Sequence, residues 1–378
     1  MRALWVVRTS LTSPAAVTTM VETARAGGFN TLLVQIRGRG DAYYTNGLEP
    51  RAPSVAGQPE FDPLAMTIAR SHEAGLRVHA WINVNLVAGV NELPAARDHV
   101  IYRHPEWLMV PRVLAEDLAG VDPRSPEYLG RLARFVRSQA SELEGLYLSP
   151  IAEASADHTV GVVHDIASRY AVDGVHFDYV RYPNDEFDYS RDALAAFRRS
   201  VVRDLPEADV QRYDVRLGAA PLIYAQAFPE SWRAFRADRL TALIVRLRNA
   251  VRDARPAVIV SAAVFPDAPE AAARRLQEWP GWLDRGLIDV VCPMAYTTDA
   301  RVFASQIAAA RDIAGRHPIW AGIGAYRLSS GQIVENVQAA RRLGAAGIIL
   351  FSYDSLTGPS HGPEYLTRVA RAAFGAHF

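Results

Sequence analysis

The chain has 378 residues, 49% of them hydrophobic, with 41 basic and 41 acidic side chains and a formal net charge of +0. That length and apolar share suffice for a large buried core, and the balanced charge leaves no electrostatic footprint for nucleic acid or an anionic membrane. Every basic residue counted there is arginine; Schiff-base catalysis, pyridoxal phosphate attachment and a Walker phosphate loop, which all require lysine, are therefore excluded. Cys292 is the one cysteine, so no intrachain disulfide or thiolate zinc cluster can form.

The opening MRALWVVRTS lacks the basic start, apolar stretch and cleavage site of a signal peptide and reads as a first core strand. The expectation is a cytoplasmic protein, or an exported one whose leader has been removed. No apolar run is long enough to span a membrane.

Eight short β-rich runs follow in order: Leu4–Arg8, Thr31–Arg37, Arg77–Asn85, Gly174–Pro183, Val258–Phe265, Asp289–Tyr296, Pro318–Tyr326 and Gly347–Asp354. Amphipathic helical stretches separate them, several ending in Gly, as a helix C-terminus does. Alternating β and α predicts a parallel sheet, and eight repeats in one chain favour a closed (β/α)8 barrel. A Rossmann fold would need GxGxxG after the first strand, where the chain has RTSLTSPAA. Two connections are long, residues 86–164 after the third barrel strand and 184–257 after the fourth. Both begin at the C-terminal face, where such barrels build their clefts. No repeat or linker interrupts the chain, so residues 1–378 are expected to form one domain.

The fourth strand, GVHFDYVRYP, carries the central chemistry. Alternation puts Val175, Phe177 and Tyr179 toward the outer helices and His176 and Asp178 toward the barrel axis. A carboxylate there is costly to desolvate unless it is paired or used, and Arg181 and Tyr182 follow in the loop. The same rule turns Leu33, Gln35 and Arg37 inward on the second strand, suited to sugar hydroxyls, a substrate carboxylate or an internal ion pair with Asp178. On the third strand His79, Trp81 and Asn83 share a face; the Trp is either a stacking platform or core. Tyr296 and Tyr326 end the sixth and seventh strands, where a phenol can reach a ligand. Glycosidic hydrolysis commonly uses two carboxyl groups. Asp178 is the first; Asp41, Asp185, Glu186, Asp267, Asp299 and Asp354 are candidates for the second, and Asp354 is taken as the catalytic partner. The expected substrate-binding set is Arg8, Gln35, Arg37, Asp41, Trp81, Asn83, Asn85, His176, Arg181, Tyr182, Tyr296 and Tyr326. With no HExxH and no paired histidines on the first strand, neither a metal nor another cofactor is expected.

Taken together, RALWVV, FNTLLVQIRGRGDAYY, FDPLAMTIARSHEAGLRVHAWINVN, HPEW, YAVDGVHFDYVRYP, WLDRGLIDVVCPMAY and GIILFSYDSL resemble, in order and spacing, the family 10 glycosyl-hydrolase-like proteins. The resemblance covers nearly the whole chain. It implies a bacterial (β/α)8 glycosidase, with some members acting on peptidoglycan glycan strands, and carries Asp178 over as catalytic acid or nucleophile. The chain departs from the family at Pro293-Met294-Ala295-Tyr296-Thr297, where Pro-Gln-x-Tyr-Trp is common, and at Ser149-Pro150, where Asn-Pro is usual. The expected activity is carboxylate-catalysed cleavage of O-glycosidic bonds in a polysaccharide. The alternatives are a non-catalytic glycan-binding barrel and a metal-dependent carbohydrate deacetylase. The expected partner is a polysaccharide or oligosaccharide.

Overall fold

A computed structural model of the protein describes residues 1–362 and 364–375. Its strands are β1 (Arg2–Val6), β2 (Thr31–Arg37), β3 (Arg77–Asn83), β4 (Leu86–Gly89), β5 (Gly145–Tyr147), β6 (Gly174–Asp178), β7 (Ile259–Val264), β8 (Val290–Ala295), β9 (Trp320–Gly324) and β10 (Gly347–Phe351). Eight of them close in the order β1-β10-β9-β8-β7-β6-β3-β2, with β1 pairing parallel to both β10 and β2. Helices separate the strands, and the architecture is a (β/α)8 TIM barrel. β4 and β5 form a separate antiparallel pair within the connection from β3 to β6.

Local chemistry sets the helix starts. Ser13 and Asp62 each accept a hydrogen bond from the third amide of the following helix, and a proline fills the first helical position behind each, where its missing N–H costs nothing. Alternation then divides the side chains of each strand. On β2, Leu32, Val34 and Ile36 are fully buried against the outer helices. Trp5, Leu33, Trp81, Cys292, Trp320 and Ile349 fill the barrel interior as a second cluster. Truncating one of these large interior side chains to alanine costs roughly 2–5 kcal/mol. Glycine makes room where the interior is fullest: a Cβ on Gly174 would lie 2.3 Å from His79 Nδ1, and one on Gly322 would lie 2.8 Å from Trp5 Cη2.

All eight predicted barrel strands are present, but several end early, and the ends matter for the site. β6 stops at Asp178 because Tyr179 takes φ 52. That left-handed turn reverses the expected alternation and brings Tyr179 to the cavity instead of the outer helices. β1 ends at Val6, and Arg8 opens a 3-10 turn, Arg8–Ser10. β10 ends at Phe351, so Asp354 belongs to a short helix, Tyr353–Leu356, and not to a strand. Among the described residues no helix is long and apolar enough to cross a membrane.

Candidate active site

A cavity of about 190 Å³ opens at the C-terminal ends of the barrel strands. Trp5 from β1, Trp81 from β3, Tyr296 just after β8 and Phe351 from β10 form its aromatic walls, and Asp178 at the end of β6 is the carboxylate among its lining residues. Asp178 is 6% exposed. Its Oδ1 accepts the Tyr179 amide at 2.7 Å, and its Oδ2 accepts the Trp81 indole N–H at 3.2 Å. Arg181 Nη1 stands 3.5 Å from Oδ1. Burial raises the Asp178 carboxyl above the usual aspartate range and outweighs Arg181 and the two hydrogen bonds, which favour the ionised form.

Arg181 is itself 4% exposed. Its Nη2 donates to Glu144 Oε1 at 3.1 Å, and its guanidinium lies over the Tyr179 ring, 4.1 Å from the centroid. One guanidinium thus lies between two carboxylates. Glu144, immediately before β5, also accepts the Tyr147 hydroxyl at 2.8 Å. Burial pushes its carboxyl up, but Arg181 and that hydroxyl more than offset it, holding Glu144 below its ordinary range. The two neighbouring carboxyls are therefore shifted in opposite directions.

Beneath Asp178, His176 accepts the Trp5 indole N–H on Nε2 at 3.1 Å and faces Ser261 Oγ from Nδ1 at 2.9 Å. Because Nε2 accepts, Nδ1 carries the proton and donates to the serine. Burial holds His176 near a pKa of about 3 and His79 near about 4, so both rings are neutral. Among the described residues no group of three or more His, Cys, Asp or Glu is arranged to hold a metal ion.

Of the residues expected to bind substrate, Arg8, Gln35, Trp81, Arg181 and Tyr296 line this cavity with Asp178. They are organised by a directional chain of hydrogen bonds. Arg8 donates to Gln35, Gln35 to Asn83, and Asn83 to the Gly38 carbonyl. Asn83 thus braces the wall from behind. Tyr326 is 52% exposed at the rim and meets Tyr296 and Phe351 edge-on.

The other expectations need correction in place. Arg37 does not reach the cavity and does not pair with Asp178: the register shifts between Gln35 and Arg37, and the side chain turns into a buried bidentate ion pair with Glu49, at 2.7 and 2.6 Å. Its remaining donor atom Nη1 caps the carbonyls of Val84, at 3.0 Å, and Asn83. Asn85 holds the Arg181 carbonyl, and Tyr182 donates to the Arg236 carbonyl; both are buried away from the cavity. His176 lies one layer below the cavity, outside its lining. Asp41 fixes the loop after β2 by accepting the Arg39 amide. Asp354 is not among the cavity's lining residues: its carboxylate accepts the Val7 amide and the Thr9 and Ser10 hydroxyls, closing the turn after β1.

Four site features escaped the sequence reading. Arg39 and Tyr179 line the cavity, Glu144 backs Arg181, and Glu49 neutralises Arg37. The available signal was the charge itself: an inward-facing Arg or Asp requires a counter-charge.

In overall shape the chain is similar to the glycoside hydrolase domain of PgaB (BpsB) from Bordetella bronchiseptica, with a TM-score of 0.66 over 100% of this chain and 99% of that one at 16% identity. A β-amylase catalytic domain from Paenibacillus polymyxa gives 0.58 over 94% and 93% at 10% identity. At such identities the likeness is one of fold. In sequence, 164 residues are 26% identical to glycosyl hydrolase YngK of Bacillus subtilis, covering 41% of this chain and 26% of that protein. A further match of 26% identity over 165 residues is to glycosyl hydrolase DigH of Escherichia coli, covering 40% of this chain and 30% of that one. The aligned segment thus spans under a third of either relative's length. The family described as Glycosyl hydrolase-like 10 matches residues 1–128 and 132–341, and the chain belongs to that family.

Proposed function

We propose that the protein is a glycoside hydrolase acting on a polysaccharide, with the glycan strand of bacterial peptidoglycan as the first substrate to test. The observation that carries this reading is Asp178: a buried carboxyl, raised by desolvation, at an aromatic-walled cavity on the catalytic face of the barrel. In this role Asp178, its carboxyl raised by burial, gives a proton to the leaving glycosidic oxygen as the bond to the anomeric carbon breaks; water adds at that carbon and its surplus proton passes back to the Asp178 carboxylate. Trp5, Trp81 and Tyr296 offer apolar and indole or phenol surface to a sugar ring. Glu144 is a positioning residue: it holds Arg181, and through Arg181 it governs the charge state of Asp178.

The test is reducing-sugar release from a polysaccharide panel that includes intact peptidoglycan and glycan strands stripped of peptides, with wild type beside Asp178→Asn. Release by wild type, reduced at least 100-fold in the variant, is the expected result. Equal binding of glycan by both proteins with no release by either would assign the barrel to glycan recognition without cleavage.

A further inference from the structure

The charges around the cavity do not balance. Arg181 is matched by Asp178 and Glu144, yet two more guanidiniums, Arg8 and Arg39, line the same cavity, and neither is within ion-pair distance of a carboxylate among the described residues. Arg8 leans on the backbone of Gly38, where a Cβ would lie 2.5 Å from its Cδ, and spends Nη1 on Gln35. Arg39 spends Nη1 on the Gly38 carbonyl at 2.9 Å. Burial and the neighbouring Arg8 both disfavour the Arg39 charge. Two like charges brought together in a partly dry cleft cost stability, and at a barrel mouth that cost indicates an anion to be bound. Asp41 offsets part of the Arg39 charge from the loop after β2, but no carboxylate meets either guanidinium directly. The planar fork of arginine matches the two oxygens of a carboxylate, and the cavity volume of about 190 Å³ is that of a small group.

Resting on the hydrolase reading of this same site, we propose that Arg8 and Arg39 form a specificity subsite for a sugar residue bearing a carboxylate. The enzyme then selects acidic glycans, and neutral polysaccharides are poor substrates.

The test measures binding separately from cleavage. Glucuronic acid and N-acetylmuramic acid, each beside its neutral counterpart glucose or N-acetylglucosamine, are titrated into wild type, and the fluorescence of Trp5 and Trp81 in the cavity wall is followed. Arg8→Gln, Arg39→Gln and Arg39→Lys are run in parallel, with circular dichroism to confirm folding. The acids should bind at least about tenfold more tightly than their neutral partners, the weight of one charge-assisted hydrogen bond. Added salt should weaken them. Either Gln variant should erase the preference, and Arg39→Lys should restore part of it. Equal binding of acid and neutral sugars, an acid preference unchanged in the Gln variants, or no response to either acid at tens of millimolar overturns the proposal. Acid-selective binding without cleavage of any glycan would overturn the hydrolase reading alone; cleavage of a neutral glycan, unchanged in the Gln variants, would overturn the acidic subsite alone.

Discussion

The Glu49→Gln substitution removes one negative charge from a pair that is wholly out of water: the side chains of Arg37 and Glu49 are 0% and 1% exposed. The guanidinium keeps its carbonyl partners at Asn83 and Val84 but loses its counter-charge. Two routes give the size of the effect. Breaking a buried ion pair by altering one partner costs about 3–5 kcal/mol, because the other charge is left uncompensated. Separately, Glu49 is held at about 2 against an ordinary 4.5, burial being overcome by Arg37 and His158. A difference of that size corresponds to roughly 3 kcal/mol of stability. The group is depressed in the folded state, so this stability is present above the unfolded pKa and is lost as pH falls through the folded one. At neutral pH the whole amount is therefore at stake. For a chain of this length about 1.3 °C is lost per kcal/mol, giving a fall in melting temperature of roughly 4–6 °C. The assay is urea unfolding at neutral pH, with a thermal scan beside it. A matched Arg37→Met/Glu49→Leu variant should recover most of the loss, since replacing both partners removes the desolvation cost with the attraction. Activity should fall with stability in Glu49→Gln, because Val84 donates its amide to the Asp178 carbonyl at 2.7 Å and the Arg37 fork steadies that strand end. A loss below about 1 kcal/mol in the single variant would refute the argument.

Two substitutions should move the alkaline limb of the pH–rate profile in opposite directions. Glu144→Gln removes a charge that raises the Asp178 pKa and leaves Arg181 to Asp178 alone, so the limb should shift to lower pH; an unmoved limb would mean that Asp178 is not the group whose protonation is read. Trp81→Phe deletes a hydrogen bond that favours ionised Asp178, so the limb should shift to higher pH; a downward shift would refute this. Stability should also decline in mild acid: His176 and His79 are depressed to about 3 and about 4 by burial, so each contributes fully above the unfolded value near 6.5 and loses roughly 2 kcal/mol by about 1.5 units below it. A urea midpoint constant from pH 7 to 5 would contradict the neutral assignment. Tyr326→Ala, at the exposed rim, should raise KM for a polymeric substrate with little change in melting temperature; a fall of several degrees would show that the ring is structural.

What the sequence made legible was what period-2 alternation decides. The eight strands, the inward turn of His176 and Asp178, and the interior places of Leu33 and Trp81 all follow from it. Alternation fails wherever the backbone leaves the regular strand. The register shift beyond Gln35 sends Arg37 to Glu49, and the left-handed Tyr179 turns a residue read as outward into the cavity wall. Asp354 moved from strand end to helix because β10 stops at Phe351 and Ser352 caps the next turn. Glu144 reaches Arg181 because β5 pairs antiparallel with β4, a contact between segments far apart in sequence with no periodicity to announce it. Charge carries further than period in these cases. An inward arginine or carboxylate is costly unless a partner meets it, so each one read from a strand implies a counter-charge on some loop. Arg37 finds Glu49, and Asp178 finds Arg181, which in turn finds Glu144. Arg8 and Arg39 find no carboxylate partner among the described residues. The same rule that explains the satisfied pairs is what motivates the proposed acidic subsite, in which the missing counter-charge would come from the bound sugar.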